Sequence, residues 1–239
     1  MLDVRLINEI EHGKYLATHG AGEIWNWETP AGKLRWARRV KMLLSKIQNG
    51  MEVLELGCGL GYFTKELIKT GANITAIDIS PDLISLAKNE INANNVCFKI
   101  ENAYKTSFCD EQFEMVIGSS VLHHLDVDKA LSEIYRLLKP SGEIFFTEPN
   151  MLNPQIFIER EFRDYFPYVS QNETAFIRFS LSKKLQDIGF QQIEIVPFDW
   201  LHPSTPSFLI KLIDFSGKII ERTPLLREFS GSLFIKARK

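Results

Sequence analysis

Cysteine is scarce. The 239 residues hold three, Cys58, Cys97 and Cys109. An odd number without metal-type spacing argues against a disulfide framework and points to a reducing compartment. An excess of charge of one sign is also missing: 28 Lys and Arg face 30 Asp and Glu, for a net charge of −2. Both signs are spread along the chain, so there is no basic stripe to hold a nucleic-acid backbone, and no nucleic-acid partner is expected. No apolar run reaches the roughly 18 residues of a membrane span. The N-terminus, MLDVRLINEIEHGKY, carries acidic residues where a secretory leader would carry an apolar core. A cytoplasmic location is therefore expected. No internal repeat, no low-complexity tract and no set of metal ligands is present, so no bound metal is expected. The pattern carries no signal for an oligomeric state.

The chain does have enough apolar residues, 45%, for a sizeable core, and enough charged ones, 24%, for a soluble surface. Its length suits one domain with an insertion, or one and a half domains. Residues 33–48 have helical apolar spacing and stop at Asn49-Gly50. Strands and helices then alternate. Strands are predicted at 51–56, 73–78, 96–101, 113–118 and 143–148, with helices at 61–69, 81–92 and 126–138. Ser80-Pro81 and Pro140-Gly142 are the clearest start and stop signals. After Glu148 the alternation breaks over 149–179, resumes with a helix at 181–189 and a strand at 191–198, and breaks again over 203–229. A strand at 231–238 closes the chain. This order predicts an α/β fold: a doubly wound, mostly parallel, seven-stranded sheet with helices on both faces.

The first strand runs into Glu55-Leu56-Gly57-Cys58-Gly59-Leu60-Gly61 and feeds a helix. Glycine permits a tight turn and a close approach of backbone to ligand, and the carboxyl end of such a strand is where open α/β sheets bind ligands. A dinucleotide site needs G-x-G-x-x-G, but the position of the third glycine holds Tyr62. Glu55 would repel a pyrophosphate and suit a ligand bearing ammonium and sulfonium charges, which favours S-adenosylmethionine. Asp78, at the end of the second strand, can accept hydrogen bonds from both ribose hydroxyls. Asn102, after the third, offers an amide to an adenine edge, with Ala103 leaving room for the ring.

The segments ELGCGLGYFT, AIDIS, ENA, VIGSSVLHHL and LLKPSGEIFFTEPN, in this order and spacing over residues 51–150, resemble the class I S-adenosylmethionine-dependent methyltransferases. The resemblance is greatest to the small-molecule group that includes the ubiquinone-type enzymes. It implies a Rossmann-like sheet whose last strand is antiparallel. It also implies that Glu55, Gly57, Cys58, Gly59 and Gly61 surround the methionine part, that Asp78 holds the ribose with Ile79 beside the adenine, and that Ser119 lies by the cofactor. Asn102 replaces the Asp common at its position. The EPN…NP continuation also resembles methyltransferases of bacterial polysaccharide modification, so the acceptor is expected to be a small molecule, a glycan or a lipid-linked group.

His123 and His124 follow the fourth strand, where the family's acceptor pocket begins. Either can take a proton from an acceptor oxygen, or cap the next helix. Glu148 either orients substrate or bonds a loop backbone. Residues 1–50 read as a helical lid on a domain spanning 51–239. Residues 1–30, 149–179 and 203–229 together are expected to form the acceptor pocket. They supply Trp25, Trp27, Phe157, Phe162, Tyr165, Phe166 and Trp200 as apolar surface, and His19, Glu148, Arg160 and His202 as polar handles. Phe208, Leu209, Leu212, Ile213, Ile219 and Ile220 fall on one helical face. That face either packs on the core or covers a greasy substrate or touches a membrane surface. No Asn/Asp-Pro-Pro-aromatic run, Pro-Cys pair or double glutamate marks a DNA or arginine methyltransferase. Two function classes survive: an active methyltransferase, and a non-catalytic S-adenosylmethionine-binding regulatory or scaffold protein.

Overall fold

The computed structural model describes residues 4–19, 26–166 and 172–239, except for the side chain of His19. In chain order the elements are α1 (Val4–His19), α2 (Pro30–Leu43), β1 (Glu52–Leu56), α3 (Thr64–Leu67), β2 (Asn73–Asp78), α4 (Pro81–Glu90), β3 (Val96–Ile100), β4 (Phe113–Ser119), α5 (Val127–Leu137), β5 (Leu138–Pro149), α6 (Pro154–Glu161), α7 (Arg178–Ile188), β6 (Gln191–Phe198), α8 (Ser207–Ile220) and β7 (Ser232–Arg238). Seven strands form one sheet in the order β3-β2-β1-β4-β5-β7-β6. β1 to β5 pair in parallel, and β7 runs antiparallel to both its neighbours. This is the Rossmann-like sheet that the alternation and the resemblance predict. The strand order reverses between β1 and β4, which opens a crevice at their carboxyl ends.

Strand parity explains why both faces of the sheet are covered. Leu54, Val116, Ile144 and Phe146 point to one side, where α5 and α7 contribute Leu131, Ile134, Leu181 and Leu185. Val53, Met115, Ile117 and Phe145 point to the other, against Leu43 of α2, Leu67 of α3 and Ile84 of α4. Such central strands are apolar at nearly every position because neither face meets water.

Helix starts follow cap chemistry. The Thr29 hydroxyl accepts from Gly32 N at 2.9 Å with Pro30 in the first turn, so α2 begins three residues before the predicted start. Ser80 and Asn153 do the same for α4 and α6, each again followed by proline. Each such cap contributes about 1 kcal/mol. The helix predicted at 61–69 is shorter: its α-helical turn spans Thr64–Leu67, and a 3-10 turn leads to Gly71 at φ 78°. The left-handed backbone at Gly59 and Gly61, φ 53° and 78°, delays its start. The irregular stretch 149–179 contains α6 and a 3-10 turn at Arg163–Tyr165.

The apolar face expected on α8 divides in two. Ile210 and Gly217 are buried and Ile213 packs beside Ala31 and Leu201, while Phe208, Leu212 and Ile219 are exposed. The core-packing reading is corrected for those three. The body behind α8 offers only a narrow seam at Trp200 and α2, and Gly217 is the contact point: a Cβ there would stand 2.9 Å from Trp200 Cβ.

Candidate active site

A cavity of about 420 Å³ opens at the carboxyl ends of β1, β2 and β4. Its floor is the glycine loop. Gly57 has φ 67°, and a Cβ there would meet Val121 Cγ2 at 2.4 Å, so only glycine leaves this loop in place. Gly57, Cys58 and Gly59 line the cavity. Gly61 sits behind them, with its N–H on Cys58 O at 2.8 Å.

Asp78 also lines the cavity. Its Oδ2 accepts from Gly59 N and its Oδ1 from Ser80 N, both at 2.9 Å. Each oxygen keeps a second lone pair for a ligand hydroxyl. Burial raises its pKa, against the pull of these amides. Ile79, Ala103 and Ser119 line the cavity as well. The Ser119 hydroxyl is 2.8 Å from that of Thr147.

Two sequence expectations change, and for Glu148 the second of its two alternatives, bonding a loop backbone, fits the geometry. Glu55 does not line the cavity. It is buried beneath the loop, its Oε2 accepts from the Thr64 hydroxyl at 2.6 Å, and burial pushes its pKa up to about 8. It therefore holds a proton near neutral pH, and its charge is not the discriminator against a pyrophosphate that the sequence suggests. Asn102 is not in the wall either: its Oδ1 accepts from Tyr104 N at 2.9 Å, and the wall residues on either side are Glu101 and Ala103. Glu148 is fully buried behind the acceptor side and touches no cavity space. Its Oε1 accepts from Val121 N and Leu122 N at 3.0 and 2.8 Å, and its Oε2 lies 2.7 Å from His123 Nδ1. It is a positioning group for the loop and for His123.

His123 and His124 both line the cavity, with ring centroids 4.1 Å apart. Burial, then the adjacent His124, lowers the His123 pKa against the pull of Glu148. For His124, burial acts downward, but the Glu9 hydrogen bond and the charges of Glu9, Glu173 and Glu148 outweigh it, so its pKa is raised. Glu9 comes from α1, as do Leu6, His12, Gly13 and Leu16 in the same wall. α1 is pressed onto α4: a Cβ at Gly13 would lie 2.5 Å from Ser80 Cβ. Arg5 also donates to Leu125 O.

The far end of the cavity is basic. Arg35 Nε and Arg39 of α2 share Asp199 Oδ2 at 2.9 and 2.8 Å, and Arg39 donates to the Ser232 hydroxyl at 2.7 Å. Burial, opposed by Asp199, takes the Arg39 pKa down to about 10, so it stays charged. Two guanidiniums share one carboxylate there, and Glu159 stands in the same wall. Sequence reasoning missed this end. The i, i+4 spacing of Arg35 and Arg39 was visible, but a carboxylate 160 residues away had no local signal.

Residues of 1–30 and 149–179 line the cavity, including Trp27, Ile156, Glu159, Arg160 and Glu173. Arg160 is paired with Glu173 at 2.9 Å. The segment 203–229 contributes nothing to the wall and is corrected. Phe157, Phe162, Tyr165, Phe166, Trp200 and His202 are also outside it. Trp25 and the side chain of His19 lie outside the described residues.

Residues 54–146 match the family model for a methyltransferase domain. A ubiquinone biosynthesis O-methyltransferase of Coxiella burnetii (strain Dugway 5J108-111) is 29% identical over 87% of this chain and 85% of its own length. Over these residues, and over most of its length, the chain is similar to methyltransferases. A demethylmenaquinone methyltransferase of Tropheryma whipplei (strain Twist) is 30% identical over 56% of this chain, a match spanning about half (55%) of that relative. Among solved structures, a possible histamine N-methyltransferase of Thermotoga maritima superposes with a TM-score of 0.70 at 17% identity, covering 94% of this chain and 97% of the other. A phosphoethanolamine N-methyltransferase of Haemonchus contortus, solved with S-adenosylmethionine, gives 0.69 at 18% identity, covering 100% of this chain and 60% of that one. That neighbour holds S-adenosylmethionine. The side-chain-free glycine floor and the two free lone pairs of Asp78 fit that molecule. Among the described residues no helix is long and apolar enough to cross a membrane.

Proposed function

We propose that this protein is an active enzyme, not a regulatory cofactor-binding module, and that it methylates a hydroxyl on a small, largely apolar acceptor. The observation that carries the reading is the His123–Glu148 pair, 2.7 Å apart in the cavity wall. A carboxylate on Nδ1 holds the proton there and leaves Nε2 as the basic nitrogen. Burial lowers the His123 pKa and keeps the ring neutral at pH 7, the form that accepts a proton from a hydroxyl. The O-methyltransferase among the relatives supports oxygen as the acceptor atom.

In this reading the cofactor supplies a methyl group on a sulfonium, which needs little beyond an aligned nucleophile. Gly57, Cys58 and Gly59 form the surface under the methionine part, with Glu55 and Gly61 supporting the loop from behind. Asp78 receives the ribose hydroxyls, and Ile79 and Ala103 flank the adenine. Arg35 and Arg39 meet the carboxylate of the methionine part. Ser119 and His124 border the acceptor side. Asn102 stabilises the loop turn instead of reading the base. The acceptor's reacting head enters beside the cofactor, while a long tail of a glycan- or lipid-linked acceptor stays outside. The free cysteines among the described residues are consistent with a cytoplasmic location.

The test is transfer of labelled methyl from S-adenosylmethionine to ubiquinone-type polyphenols, with product analysis of the labelled atom. Transfer to oxygen that falls with His123→Asn, with unchanged S-adenosylhomocysteine affinity, is expected. Label on nitrogen or carbon only, or no transfer at all, overturns it.

A further inference from the structure

We infer that the outer face of α8, with the apolar outer side of α6, docks this enzyme on an anionic lipid surface. The inference concerns attachment and holds whichever atom is methylated.

The first observation is the stripe itself. Phe208, Leu212, Phe215 and Ile219 recur at helical spacing and are 83, 63, 67 and 53% exposed. The opposite side of α8 already packs against the body through Ile210, Ile213 and Gly217. Core packing is therefore satisfied, and the stripe is surplus to it. Four large apolar side chains in one exposed row mark an interaction surface.

Charge selects the occupant. At 100° per residue, Lys211 and Lys218 fall along one flank of the stripe, Arg222 follows in the turn after α8, and no Asp or Glu of α8 falls on the outward arc. Lys218 is paired with Asp214 at 2.6 Å, whereas Lys211 and Arg222 carry no ion pair among the described residues. An apolar row bordered by cations matches the boundary between acyl chains and anionic headgroups. A second copy would bring the same unpaired cations, Lys211 and Arg222, while the acid on its own α8, Asp214, is already taken by Lys218.

Position supplies the rest. α6 turns Ile156, Glu159 and Arg160 into the cavity and leaves Phe157 and Ile158 exposed. It is tied to the chain on both sides of α8: Gln155 bonds His202 at 3.0 Å, and Asn153 donates to Phe229 O at 2.8 Å. Leu225, Leu226 and Phe229, just after α8, are exposed too. The apolar surface thus adjoins the element that walls the acceptor side, where a lipid-soluble acceptor would arrive.

The experiment is flotation of the purified protein with phosphatidylcholine vesicles, with and without phosphatidylglycerol. Binding to the anionic vesicles that weakens with salt is expected. The pairs Leu212→Gln with Phe215→Gln, and Lys211→Glu with Arg222→Glu, each weaken it about ten-fold or more. S-adenosylhomocysteine affinity stays unchanged in both, which separates this surface from the cofactor site. No flotation with either vesicle, or variants that float like the parent, overturns the inference. So does a lipid-free dimer that Leu212→Gln with Phe215→Gln disperses, which would assign the stripe to a second copy.

Discussion

Replacing Glu55 with glutamine should flatten the pH dependence of folding stability. The carboxyl is buried, and its pKa moves from 4.5 to about 8. Between those values the folded protein keeps a proton that the unfolded chain has released. The folded state then binds more protons, so stability falls as pH rises, by about 1.4 kcal/mol per pH unit. From pH 5 to pH 8 this one group removes about 3.5 kcal/mol. Glutamine keeps the volume and still offers an oxygen to the Thr64 hydroxyl, which donates at 2.6 Å. It cannot ionise, so that slope disappears. His123 and the other groups away from the loop titrate alike in both proteins, so the difference between the two pH profiles reports Glu55 together with its coupling to Asp78 and Cys58. Urea unfolding of the cofactor-free parent and of Glu55→Gln at pH 5 and pH 8 measures it. The parent should lose about 3.5 kcal/mol more than the variant over this interval. Parallel profiles would refute the buried, protonated carboxyl.

Four further outcomes are expected. His123→Asn lowers kcat by about 10²-fold or more while S-adenosylhomocysteine affinity holds; because the His123 pKa is lowered, the acid limb of the parent's kcat profile should lie below pH 6.5. Asp78→Ala weakens cofactor binding by about 1.5–3 kcal/mol, read by titration calorimetry; unchanged affinity counts against the ribose role. Gly57→Ala destabilises the fold by about 2 kcal/mol or more, since its Cβ would lie 2.4 Å from Val121 Cγ2, and thermal unfolding checks this. Asp199→Ala leaves Arg35 and Arg39 without their shared carboxylate and costs about 3–5 kcal/mol; a variant as stable as the parent in urea would contradict that pairing.

Some of the site was legible because its chemistry is local. Gly57, Gly59 and Gly61 are needed for backbone geometry, and Asp78 ends a strand whose direction follows from the alternation. Their common location follows from parallel topology, which brings the carboxyl ends of β1, β2 and β4 together. His123 was nameable for the same reason. Glu148 was nameable too, but its role was not: whether a strand-end carboxylate meets substrate or three backbone amides depends on where the next loop folds.

Sequence alone settled the order of strands and helices and the doubly wound sheet, since hydrophobic period and turn residues act over a few neighbours. Tertiary structure decided what depends on distant partners. Burial turned Glu55 from the expected anion into a protonated support. Packing joined Arg35 and Arg39 to Asp199, and α1 to the histidines through Glu9. It also decided which side of α8 faces water, because a periodic apolar pattern shows that faces exist, while only the shape of the neighbouring body determines which one is buried.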